Sequence, residues 1–152
     1  MTTTRLLVLA AVAAGLLALF FAVRPHGHPV LPRFTPGVAN VEVTQANIGD
    51  TVCRSGWTKT IRPPVTYTNA LKRKQMRRYG EPGKPSGYQE DHLISLELGG
   101  DPTEPRNLWP EPYPRASAVD QIENELNREV CTGKLTLQEA QDKESELKHT
   151  QG

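Results

Sequence analysis

Two adjacent glycines, Gly99-Gly100, lie inside the segment Glu90 to Pro112, EDHLISLELGGDPTEPRNLWPEP, and constrain this chain more than any other feature. Ahead of them Leu93, Ile94, Leu96 and Leu98 follow the acid-histidine pair Asp91-His92; behind them Asn107-Leu108-Trp109 brings the chain back. Glycines permit sharp turns because they lack the Cβ that closes off much of backbone space. The segment therefore predicts a strand, a glycine turn and a short return strand. Downstream, Val119, Ile122, Leu126 and Val130 form an apolar stripe at helical spacing, with Ser117 as N-cap, Asp120 in the capping-box position and Gly133 just past the end. Thr136 with Glu139 is a second capping box, opening a last helix through about Leu147. The order predicts an α+β fold.

Upstream of the hairpin, Thr68 or Asn69 can cap a helix over Ala70 to Tyr79 that stops at Gly80. Weak strand character is expected at Val41 to Val43 and at Trp57 to Ile61, the second ended by Pro63-Pro64. From Cys53 to Lys84 nine basic side chains stand against one acid, Glu81, whereas Glu111 to Lys148 is acidic. A net charge of +1 thus conceals a split that suits a polyanion-facing surface as well as an ordinary solvated face. Lys72, Arg73 and Arg77 on the basic helix, with Arg62 and Arg106, are the candidates for contacting phosphates.

Leu6 to Val23 is an uninterrupted apolar run flanked by Arg5 and Arg24. Its 18 residues exceed a usual signal-peptide core and fall just short of the roughly 20 that span a bilayer. It reads as a hydrophobic helix that is either retained as a membrane anchor or cleaved as a signal. Arg24 to Asn40 carries four prolines and two glycines and reads as a semi-rigid tether. The expected organisation is residues 1–23 as membrane segment, 24–40 as linker and 41–152 as one folded domain. The two cysteines, Cys53 and Cys131, lie outside any C-x-x-C pattern. An even, widely spaced pair suits a disulfide in an oxidising compartment, two buried thiols being the other reading. With only His92 between them, zinc is disfavoured. These features place the domain outside the cytoplasm, anchored or secreted.

The order Asp91-His92 on the first strand, Gly99-Gly100 in the turn and Asn107-Leu108 after it, followed by a helix, resembles the ββα-metal finger of HNH endonucleases. The wider context, VCRSGWTKTIRPP, YTNALKRKQM, EDHLISLELGG, PRNLWPEP and VCTG, is similar to a group of bacterial HNH-like exported proteins and covers most of Thr44 to Gln141. The resemblance implies phosphodiester hydrolysis, with His92 as general base, because an imidazole titrates near neutrality. It implies that Asp91 ligates a divalent cation, Mg2+ or Mn2+ by the hardness of an oxygen donor set. Asn107 would orient the site. Trp109 is expected to pack in the core rather than stack on a base.

In the HNH pattern a further ligand stands on the helix, and here that position is Ala116. A helix acid, Glu123 or Asp120, would replace it, or the ligand is absent; the two acids share a helix face. The substrate implied is nucleic acid, DNA or RNA, read without sequence preference since no base-reading module is present. No protein partner can be inferred. The other function compatible with these residues is a catalytically inactive module of the same fold that binds nucleic acid or another polyanion at the cell envelope.

Overall fold

The computed structural model describes residues 37–150. The apolar run and all but the last residues of the tether lie outside them. Among the described residues no helix is long and apolar enough to cross a membrane.

The fold is α+β, with one two-stranded antiparallel hairpin and several helices. In chain order these are a 3-10 turn at Gln45–Asp50, α1 (Trp57–Ile61), α2 (Val65–Tyr79), β1 (Tyr88–His92), β2 (Leu108–Pro112), α3 (Tyr113–Cys131) and α4 (Leu137–Thr150). Tyr88 pairs with Pro112, Asp91 with Trp109 and His92 with Leu108. A strand's alternation sends Asp91, Trp109 and Glu111 to one face of the hairpin.

Several local expectations need correction. Trp57–Ile61 is a helix, not a strand: Gly56 takes the left-handed φ of 79° at its start, and Trp57 turns into the core. Val41 to Val43 is a turn whose Val43 is buried. The basic helix begins at Val65, earlier than the Thr68 or Asn69 cap, because Pro64 already supplies an extended N-cap residue. The helix expected from Ser117 starts at Tyr113, with Pro114 in its first turn, where a missing N–H costs nothing. Asp120 is therefore mid-helix and caps nothing. The first strand stops at His92, and Leu96–Leu98 forms a 3-10 turn. The Thr136–Glu139 box is present as read: Glu139 Oε2 accepts from the Thr136 N–H at 2.8 Å, and Thr136 Oγ1 accepts from the Glu139 N–H at 3.2 Å.

The core lies under the hairpin loop. Val43, Val52, Trp57, Ile94 and Leu98 pack with Leu126, Val130, Leu137 and Ala140 from the last two helices. Leu93 and Trp109 form a second buried pair. Residues 38–40, expected in the tether, also join the fold. Ala39 bridges Gly100, the Asn40 N–H donates to the Gly99 carbonyl at 2.8 Å, and the Asp101 N–H donates to the Val38 carbonyl at 2.8 Å.

Both glycines of the turn are required. Gly99 has φ 74°, and a Cβ there would meet Val43 Cγ1 at 2.7 Å. A Cβ on Gly100 would fall 1.8 Å from the Ile94 carbonyl oxygen.

Cys53 and Cys131 form a disulfide with their Cα atoms 5.5 Å apart, closing a loop across a sequence separation of 78. It joins the segment before α1 to the end of α3, beside the core. Reducing it should cost about 2–4 kcal/mol by relaxing the unfolded chain. A circular-dichroism melt with reductant should show Tm lowered by on the order of 10 °C; an unchanged Tm would contradict this role.

Candidate functional site

A polar cleft of about 280 Å³ opens between the end of β1, the loop after it, and α3. Its lining includes Asp91, His92, Asp120, Glu123 and Arg62. Five residues singled out from sequence, drawn from three separated segments, thus converge on one cavity. Arg62 arrives from the residue that ends α1, and Asp120 and Glu123 sit one turn apart on α3.

His92 is buried, and its Nε2 lies 3.2 Å from the Pro102 carbonyl oxygen. A carbonyl can only accept, so Nε2 carries the ring hydrogen and Nδ1 remains the acceptor of the neutral imidazole. Burial pushes the His92 pKa below its ordinary 6.5; the nearby charges of Lys148 and Arg62 add to this, while Asp91 and the Pro102 contact oppose it. The Pro102 carbonyl is itself aimed by a turn that Asp101 caps, Oδ1 accepting from the N–H groups of Thr103 and Glu104, each at 2.9 Å.

Asn107 stands outside the cleft and organises it. The side chain is 0% exposed and saturates its hydrogen-bonding capacity. Oδ1 accepts from the N–H groups of Val38 and Ile94, both at 3.0 Å. Nδ2 donates to the carbonyls of Ile94 at 3.0 Å and Asp101 at 2.9 Å. One amide thereby clasps the incoming segment at Val38, the loop after His92 and the Asp101 turn.

Behind the cleft is a buried group of charges. Lys148, on the last turn of α4 and only 1% exposed, places Nζ 3.1 Å from Asp91 Oδ2, 2.6 Å from Glu123 Oε1 and 3.4 Å from Glu144 Oε1, and donates to the His92 carbonyl. Glu111, fully buried, pairs with Arg115 at 2.9 Å. The Arg115 guanidinium lies over the Trp109 ring, 5.0 Å from its centroid. Desolvation opposes charge on Asp91, but Lys148 and a hydrogen bond from Glu111 hold its pKa below the usual carboxylate range. Glu111 is pushed up to about 9 by burial and by Asp91, so it is the protonated member of that pair. Burial also raises Glu123 to about 8, against the pull of Lys148. Burial disfavours the Lys148 charge, yet Asp91, Glu144 and Glu123 outweigh it and keep the ammonium protonated.

The remaining candidates lie elsewhere. Lys72 is turned inwards, its amine donating to the Tyr88 carbonyl at 2.6 Å. Arg73 and Arg77 are exposed on α2, and Arg106 is exposed and paired with Glu104 at 2.9 Å. None of these lines the cleft. Ala116, at the position of the expected helix ligand, is buried in the packing of α3. His149 contacts the Ser145 carbonyl of its own helix.

Sequence reading missed Lys148, Glu144, Glu111 and Arg115. Glu144 and Lys148 are spaced four apart on a helix, the pattern of a surface ion pair, and only tertiary packing sinks them. Glu111 did carry a signal, since strand alternation puts it on the side of Asp91 and Trp109. Comparison with protein-family models, curated proteins and solved structures returned no match.

The clasp makes a specific prediction. Asn107→Ala leaves the Ile94 amide hydrogen and carbonyl unpaired and should cost about 3 kcal/mol or more. Asn107→Asp keeps the acceptor but loses both donated bonds, and should also destabilise in urea titrations at pH 7. Full stability in either variant would contradict the clasp.

Proposed function

We propose that this chain is an HNH-like endonuclease that hydrolyses phosphodiester bonds of DNA or RNA outside the cytoplasm, its hairpin and α3 acting as a ββα-metal finger with His92 as general base. The observation that carries the reading is the placement of His92: it lines a cleft with Asp91, Asp120, Glu123 and Arg62, and its Nε2 lies 3.2 Å from the Pro102 carbonyl, an acceptor that leaves Nδ1 as the ring nitrogen able to take a proton. A water held at Nδ1 would lose its proton there as its oxygen attacks phosphorus; the P–O bond to the leaving oxygen then breaks, and solvent returns a proton to that oxygen. Arg62 is positioned at the cleft to pair with the phosphate. Exposed Arg73 and Arg77 offer charge to flanking backbone.

The residues suit a divalent cation in chemistry. The donors beside His92 are hard oxygens, from Asp91 and Glu123 with Asp120 at the same cleft. Asp91 and Glu123 are the residues that would hold Mg2+ or Mn2+, which would counter the charge building on the phosphate and the departing oxygen. Among the described residues, however, no three His, Cys, Asp or Glu side chains converge around a free ion position. Substrate oxygens and water would have to complete the shell.

The Lys148 ammonium between Asp91 and Glu123 favours one other reading: a catalytically inactive module of the same fold that binds nucleic acid or another polyanion at the envelope. The disulfide fits an extracytoplasmic location under either reading, with residues 6–23 as the contact with the membrane.

Purified, oxidised full-length protein incubated with plasmid, single-stranded DNA and RNA should cleave with Mg2+ or Mn2+ and not with EDTA. His92→Ala should lose about 100-fold or more of the rate. Because the His92 pKa is lowered, the acid limb of log kcat/KM against pH should bend below 6.5, with activity falling as His92 gains a proton. Binding of nucleic acid with no cleavage under any metal would sink the enzyme in favour of the binding module.

A further inference from the structure

The Lys148 amine is held unlike an ordinary helix lysine. It is 1% exposed, and Asp91, Glu123 and Glu144 surround it at 3.1, 2.6 and 3.4 Å, with the His92 carbonyl as a fourth acceptor. Four oxygens thus converge on one positive centre. Two of those oxygens belong to Asp91 and Glu123, the carboxylates assigned above to the divalent cation. An ammonium on Asp91 Oδ2 and Glu123 Oε1 competes with a dication for those same atoms and repels it at that distance. The amine comes from the last turn of α4. The Lys148 carbonyl accepts from the Arg115 guanidinium, so the backbone is held there and withdrawal of the amine is a movement of the side chain.

Resting on the metal-dependent reading, we propose that Lys148 is an intramolecular stand-in for the divalent cation. It holds Asp91 and Glu123 together when no ion is bound and withdraws when one binds, so the last turn of α4 sets the protein's affinity for metal. The site is thereby kept from collapse or charge repulsion in the apo protein, at the expense of weaker metal binding. Metal entry and withdrawal of the Lys148 amine become one event.

The test is Mn2+ binding to full-length protein at pH 7.5, read by electron paramagnetic resonance of the free ion. Removing a state that competes with binding lowers the apparent Kd by the competing population, so Lys148→Met should bind Mn2+ at least about ten-fold more tightly than the unaltered chain. Equal or weaker binding would overturn the proposal. Should that variant fail to fold, the unaltered chain supplies a second measurement: the rate at which an amine-reactive acylating reagent modifies Lys148, read by mass spectrometry of peptides. Saturating Mg2+ should raise that rate by about five-fold or more as the amine leaves its cage, and an unchanged rate overturns the proposal. His92→Ala separates the two readings, since it should abolish cleavage and leave Mn2+ binding and the Lys148 response intact. Metal-dependent cleavage without a Lys148 effect overturns this inference alone. A Lys148 effect without cleavage by the unaltered chain supports it and removes the hydrolytic reading.

Discussion

The amide of Asn107 is the interaction on which the rest of this structure depends. It binds three separate backbone segments at once, and it can do so only because Gly100 has no side chain: a Cβ there would stand 2.7 Å from Asn107 Nδ2 as well as against the Ile94 carbonyl. The clasp fixes residues 94 to 101, the end of that loop sets the Asp101 turn, and the turn aims the Pro102 carbonyl at His92. A structural asparagine thus sets, through backbone alone, the carbonyl that His92 Nε2 meets. Buried polar groups of this kind stabilise only when every bond is made, which explains why the glycine pair and the asparagine belong together.

The second organising element is electrostatic. Four carboxyl groups and two cations are buried between the hairpin and the last two helices, an arrangement that contributes little net stability because desolvation offsets most of the attraction. The group resolves its charge unevenly: Asp91 is ionised against Lys148, while Glu111 keeps its proton. The outcome is a carboxylate held charged beside a histidine held neutral.

The α+β class, the hairpin, the last helix and the disulfide were legible because each rests on a local rule: a glycine turn, alternation, a capping box, a cysteine pair. The start of α3 was misread because Ser117 and Asp120 satisfy a capping pattern, while Pro112 as N-cap and Pro114 in the first turn already begin the helix at Tyr113. Trp57–Ile61 looked like a strand because its Trp, Thr and Ile favour one, and tertiary burial of Trp57 overrides that preference. At the candidate site, the clefted residues Asp91, His92, Asp120, Glu123 and Arg62 could all be named from pattern and resemblance. Lys148 could not, since nothing local distinguishes a lysine that will be enclosed from one that will be solvated. Lys72 shows the same blindness in reverse, a basic-face residue whose amine is spent on a strand carbonyl.

The central claim is that the fold delivers a neutral His92 with Nδ1 free to accept a proton. Long-range 1H–15N correlation on protein labelled with 15N-histidine reads this directly. At pH 7 the account predicts that His92 shows a protonated Nε2 and an unprotonated Nδ1, with the pattern unchanged until the pH falls below 6.5. A hydrogen on Nδ1, or a doubly protonated ring at pH 7, would contradict it.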